Sequence, residues 1–241
     1  MNWWSLIKTK SVLLFTFSLV NMHGQFKDAG LWSEIALAAE YHKWTFQCAP
    51  EVRMHENITR VGRAFVDVGA QYKWSKSFFL TTTYRIGVGD EIDYYDLRQR
   101  IQGGFGMKKK YGDFTFTLLS RMQMALQGKF AETDADFMST WRNRIQAKYA
   151  LTKKWGFSSS YEFFHGVHRY QPMDFQNWRW MATLERDLPN KQSVRFGYLI
   201  QKKRNSSPQE LDFVFLVSYD FQINFERKEK QEIRFIGTPA F

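Results

Sequence analysis

The run Ser158-Ser-Ser-Tyr-Glu162, followed by His165-Gly-Val-His168, holds a hydroxyl, a carboxylate and an imidazole close together. Those are the parts of an activated nucleophile. In an extended strand Ser160 and Glu162 share one face and His165 lies just beyond them, so ester hydrolysis at the rim of a sheet is geometrically conceivable. Small hydroxyl residues also fill strands without doing chemistry, and no catalytic residue is assigned from this run. His165 and His168, three apart, and Glu132, Asp134 and Asp136, two apart, are the candidates for holding a cation. The acidic set lacks the glycine and the bidentate glutamate of an EF-hand, so it reads as a solvated loop, and no metal or cofactor is expected.

A third set is larger. Arg63, Asp67, Arg85, Arg98, Arg100, Arg121, Arg142, Arg144, Arg179, Glu185 and Arg195 each fall on the polar side of an alternating stretch. Counted over all such stretches, the polar side also carries Arg53, Lys73, Lys108 and Lys148, with Glu34, Glu40, Glu51, Asp96, Glu162, Asp187 and Asp220 against them. Cations exceed anions, in keeping with a chain of 241 residues with 34 Lys+Arg, 24 Asp+Glu and a formal charge of +10. Such a charge raises nucleic acid as a partner only if it lies on an outer surface.

The elements that position these residues are strands. From Phe213 to Phe225 every second residue is aromatic or aliphatic, and Ser218, Asp220, Gln222 and Asn224 lie between them. The same period of two marks Leu31–Tyr41, Trp44–Met54, Gly62–Trp74, Ser77–Val88, Tyr95–Tyr111, Phe114–Leu126, Phe137–Leu151, Trp155–Phe164, Asn177–Leu188 and Ser193–Gln201. No comparable stretch has a 3.6-residue stripe. Tight turns at 42–43, 74–76, 111–113, 152–154 and 189–191 alternate with longer polar connections at 55–61, 89–94, 127–136, 165–174 and 202–210. Short turns at one end and long loops at the other are the pattern of a transmembrane β-barrel, with turns in the periplasm and loops outside.

A soluble sandwich or a secreted lipocalin-like barrel binding an apolar ligand would alternate as well. Length separates them, because most of these strands reach the ~9–11 residues a tilted strand needs to cross a bilayer. Composition agrees. The chain has 23 Phe, 9 Trp and 11 Tyr, and the Trp and Tyr gather beside the turns (Trp44, Tyr72, Trp74, Tyr111, Tyr149, Trp155) and toward the loops (Trp141, Trp178, Trp180) as interfacial girdles do. Mid-strand charges must then face the lumen, since an arginine in hydrocarbon costs roughly 2–4 kcal/mol at the midplane. Charge held inside a barrel does not reach nucleic-acid phosphates, so that partner is not expected.

Residues 1–24 supply an export route: Lys8 and Lys10, an apolar run from Val12 to Val20, then small and polar residues to Gly24. The run is too short for a membrane helix and reads as a secretory signal peptide. One cysteine, Cys48, excludes a disulfide framework.

The segment Asp28-Ala-Gly-Leu-Trp-Ser, the repeated Lys-Trp at turn ends (Lys43-Trp44, Lys154-Trp155) and the closing Tyr-Asp-Phe-Gln-Ile-Asn-Phe at 219–225 resemble the family known as domain of unknown function 2490, DUF2490, over about residues 27–225. The resemblance implies a Gram-negative outer-membrane barrel and carries no functional residue. The stretch Tyr219–Phe225 also resembles the signal read by the barrel assembly machinery. The phospholipase barrels' His-Xaa-Ser-Asn-Gly is absent.

The expectation is an all-β protein: a signal peptide at 1–24, an up-and-down transmembrane barrel at 25–225, and a charged tail at 226–241 that is solvated or adds a short strand at Ile233–Ile236. Eleven strands are drawn, but bacterial barrels have even numbers, so twelve is favoured, with residues 25–30 as the extra strand, over ten. Its partners would be outer-membrane lipids and the assembly machinery. The expected role is structural or a narrow, porin-like, anion-preferring pore, with a rim lipid hydrolase as the alternative.

Overall fold

The computed structural model describes residues 29–90, 95–127, 138–167, 173–202 and 211–225. The proposed signal peptide, the tail, the acidic set Glu132, Asp134 and Asp136, and His168 lie outside them. Eleven strands run in chain order: β1 (Ala29–Tyr41), β2 (Trp44–His55), β3 (Arg60–Lys73), β4 (Phe78–Asp90), β5 (Tyr95–Tyr111), β6 (Phe114–Gln127), β7 (Met138–Ala150), β8 (Trp155–Val167), β9 (Asp174–Leu188), β10 (Gln192–Lys202) and β11 (Leu211–Asn224). Each pairs antiparallel with the next, and the sheet closes on itself.

The closure corrects the expected even count. β1 pairs with β11 in parallel, from Ala29↔Phe213 to Glu40↔Asn224. An odd number of up-and-down strands makes the first and last run the same way, so their ladder is parallel. Ala29 and Gly30 belong to β1 itself, whose two edges are occupied by β2 and β11, leaving no edge for a twelfth strand. β1 therefore begins at the loop end and β11 finishes at the turn end.

The turns follow from local chemistry. Asn190 and Lys191 both have positive φ, as a tight hairpin requires, and Gly112 and His42 adopt the same left-handed region in their turns. Thr152 Oγ1 accepts hydrogen bonds from the Lys154 and Trp155 backbone N–H groups, and Ser75 Oγ does the same for Ser77 and Phe78. On the loop side β8 and β9 run further than their alternation indicates. A register shift between Phe164 and His165 interrupts the period there.

The barrel keeps polar side chains inside and turns apolar ones outward. Among the described residues seventeen buried side chains are polar or charged and nine are hydrophobic, three of these alanine. Outward stand Ile35, Leu37, Phe46, Val68, Ile101, Phe116, Leu118, Ile145, Phe196 and Phe215, all exposed. Trp44 packs on Tyr72 at 4.9 Å between centroids and Phe114 on Tyr149 at 4.7 Å beside the turns, while Tyr161 stacks on Trp178 at 5.6 Å toward the loops.

Candidate functional site

The strands place charge inside the barrel in register. Arg121 stands directly opposite Arg142, Arg85 opposite Arg100, and Arg53 opposite Arg63. Like charges directly opposite destabilise a sheet unless anions lie between them. β6 and β7 contain no Asp or Glu, so their arginines must borrow a carboxylate from another strand.

Glu162 on β8 is that carboxylate. Arg121 Nη2 donates to its Oε1 at 2.8 Å, Arg142 forks onto it through Nε at 3.1 Å and Nη2 at 3.0 Å, and Arg179 Nη1 lies 3.8 Å from Oε2. Arg142 also donates to Gln123, and Arg179 to Gln201. Fork geometry onto a shared carboxylate suits the rigid planar guanidinium.

A second centre adjoins it. Arg85 forks onto Asp67 through Nε at 2.6 Å and Nη2 at 2.5 Å, and Arg53 Nε donates to Glu51 at 2.7 Å. Aromatic rings join the two centres. The Arg53 guanidinium lies 3.6 Å from the Trp32 centroid and Arg179 lies 5.1 Å from the same ring. Arg85 covers Phe65 at 3.3 Å, and Arg142 and Arg179 approach Phe164 at 4.7 and 5.3 Å. Cations stacked on rings and carboxylates from β1, β2, β3, β4, β6, β7, β8 and β9 thus form one belt around the lumen. Asp67 is 2% exposed, Arg121 3% and Glu162 5%, so side chains occupy the lumen at this level.

Toward the turn end Arg195 Nη2 pairs with Asp220 at 2.9 Å, Lys148 with Glu185 at 2.7 Å and Lys73 with Glu40 at 2.8 Å. At the loop end Arg60 pairs with Asp90. Of the expected cluster, Arg85, Asp67, Arg121, Arg142 and Arg179 meet in the belt, and Arg100 and Arg144 border it. Arg195 and Glu185 form separate pairs below it. Arg63 is exposed near the loop end, and Arg98 lies against Gly89 there, where a Cβ would come 2.7 Å from its Nε. Alternation alone did not single out Trp32, Phe65 and Phe164 as lumen rings. Their spacing of two from Glu34, Asp67 and Glu162 was the available signal.

Two glycines make room for this wiring. Gly104 faces the lumen opposite Arg121, and a Cβ there would come 2.7 Å from the Arg121 Cγ. Gly106 leaves its space to the Phe79 ring.

The hydroxyl and imidazole considered for hydrolysis part company. Ser160 is buried on the lumen wall next to Ser158, whose Oγ lies 2.8 Å from Thr183 Oγ1. The His165 ring instead contacts Trp141 and Phe175, at 6.1 and 5.6 Å, on the outer face. No group of three or more metal-ligating side chains occurs among the described residues.

The fold and the belt define a class: a closed up-and-down β-barrel with an ionic interior and an apolar exterior. A family model described as "Protein of unknown function (DUF2490)" matches residues 20–212, and the chain belongs to that family. No curated protein matches it.

Proposed function

We propose that the chain is a non-enzymatic outer-membrane β-barrel, exported by residues 1–24, whose lumen is closed at mid-height by the arginine–carboxylate belt. The partition of side chains carries this reading. A soluble monomer rarely exposes a contiguous apolar patch above a few hundred Å², whereas this barrel turns an apolar girdle outward from every strand and buries the charges of its mid-height belt. Strands of 11 to 17 residues are long enough to cross a bilayer at a tilt. Among the described residues the interior is lined mainly by polar and charged side chains, which does not suit an apolar ligand of the lipocalin kind. The protein should fractionate with outer membranes and migrate faster on gels before boiling than after. Recovery in the soluble fraction contradicts the proposal.

A second reading, a narrow anion-preferring passage, is favoured by one observation: arginines of β5–β7 outnumber the carboxylates that reach them. In planar bilayers under a potassium chloride gradient, small steps should reverse toward the chloride potential. Cation preference, or large unselective steps, argues against it.

A further inference from the structure

Glu162 is shared among arginines. Of the about four acceptor sites on its two oxygens, Arg121 and both donors of the Arg142 fork take three, with an Arg179 nitrogen 3.8 Å from Oε2. Arg144 stands directly across from Glu162 in register, yet it does not bond to it. Its side chain is buried, 6% exposed, and its Nε finds no partner. Arg121 retains a free Nε and Nη1, Arg100 a free Nε, and Gln102 both of its amide atoms. Arg144, Arg121 and Gln102 are neighbours on the wall, whereas Arg100 sits opposite Ala125, beside the Asp67 centre. Arg144 is diagonal to Arg121 across β6 and β7, and Gln102 lies opposite Gln123, two residues from Arg121.

Buried guanidinium donors without acceptors are costly. A ligand that suits such donors is negative, small and able to accept several N–H bonds in one plane or tetrahedron. We propose that the lumen wall of β5–β7 is a binding site for a free, water-soluble oxoanion such as phosphate, sulfate or a small carboxylate, held by Arg121, Arg144 and Gln102. The inference rests on the barrel's lumen being the interior described above, and it holds whether or not ions pass through. The site deepens the anion-passage reading by naming the ligand chemistry. Arginine supplies the fork that oxoanions match and chloride does not.

The test uses the full chain refolded in detergent, with sodium phosphate or sodium sulfate compared with sodium chloride at equal ionic strength. Phosphate should raise the unfolding temperature saturably, and Arg144→Gln should weaken the apparent affinity at least tenfold. Because Arg144→Gln removes an unpaired buried charge, it should fold, and its unfolding temperature without phosphate should equal or exceed that of the wild type. Arg186→Gln, on the outer face beside Trp155, should respond as the wild type does. No phosphate or sulfate effect beyond chloride, or equal responses from wild type and Arg144→Gln, overturns the site. An outer-membrane protein without the phosphate effect refutes the site and leaves the barrel reading. A soluble protein with the effect refutes the membrane reading and leaves the site.

Discussion

Arg121 and Arg142 face each other directly across β6 and β7, and both donate to one carboxylate, Glu162. Two like charges in register are tolerated here because a third strand supplies the anion between them. That arrangement couples β6, β7 and β8 through side chains as well as through the backbone ladder.

Removing the shared anion therefore leaves several buried cations together. Glu162→Gln should destabilise the folded barrel by about 3–5 kcal/mol, the range for breaking a buried pair by deleting one partner. Urea unfolding in detergent or lipid measures it. A change within experimental error would mean that Glu162 does not hold the belt.

Asp67 bears the same relation to Arg85, which it grips in a fork while Arg100 stands on the other side. Asp67→Asn should also lower stability. If the barrel conducts, it should strengthen chloride preference, read as a larger shift of the reversal potential. A shift toward potassium would contradict the placement of this pair in the lumen.

The glycines of β5 make a matched pair of tests. Gly104→Val puts a side chain against the Ser120 carbonyl oxygen and the Arg121 stem and should cost at least about 1–3 kcal/mol, the typical range for overpacking. Gly103 faces outward with nothing near its Cβ position, so Gly103→Val should leave unfolding unchanged or slightly raise its midpoint. Equal losses at both positions would show that the strand faces are misassigned.

On the outer wall, Ile145 is 54% exposed between lumen residues Arg144 and Gln146. Ile145→Arg should reduce the free energy of folding into phospholipid vesicles by about 2–4 kcal/mol, whereas Ile145→Leu should not. An arginine tolerated without cost there would place this face in water.

Much of this architecture is legible from residue order. The alternation through Phe213–Phe225 and its ten counterparts marks the strands, because a side chain's face is set by parity alone. The lumen position of Arg121, Arg142 and Asp67 follows from the same parity. Closure is not legible: the β1–β11 ladder is made of backbone groups, and nothing in Ala29–Glu40 distinguishes a parallel from an antiparallel neighbour. The even-number rule pointed away from it. Nor is the pairing of Arg121 with Glu162, which reaches over β7 and depends on the curvature of the wall. Trp32, Phe65 and Phe164 are not legible as lumen rings, because aromatic residues in a barrel sequence read first as outward girdles.

The central claim is that one face of every strand meets lipid and the other encloses charge. Nitroxide labels at positions 118 and 145, in a Cys48→Ser background, test it by power saturation in vesicles, with a label at turn residue 153 for comparison. Relaxation by oxygen should exceed that by a water-soluble nickel chelate at 118 and 145 and fall below it at 153. Nickel-dominated relaxation at all three positions would contradict the account.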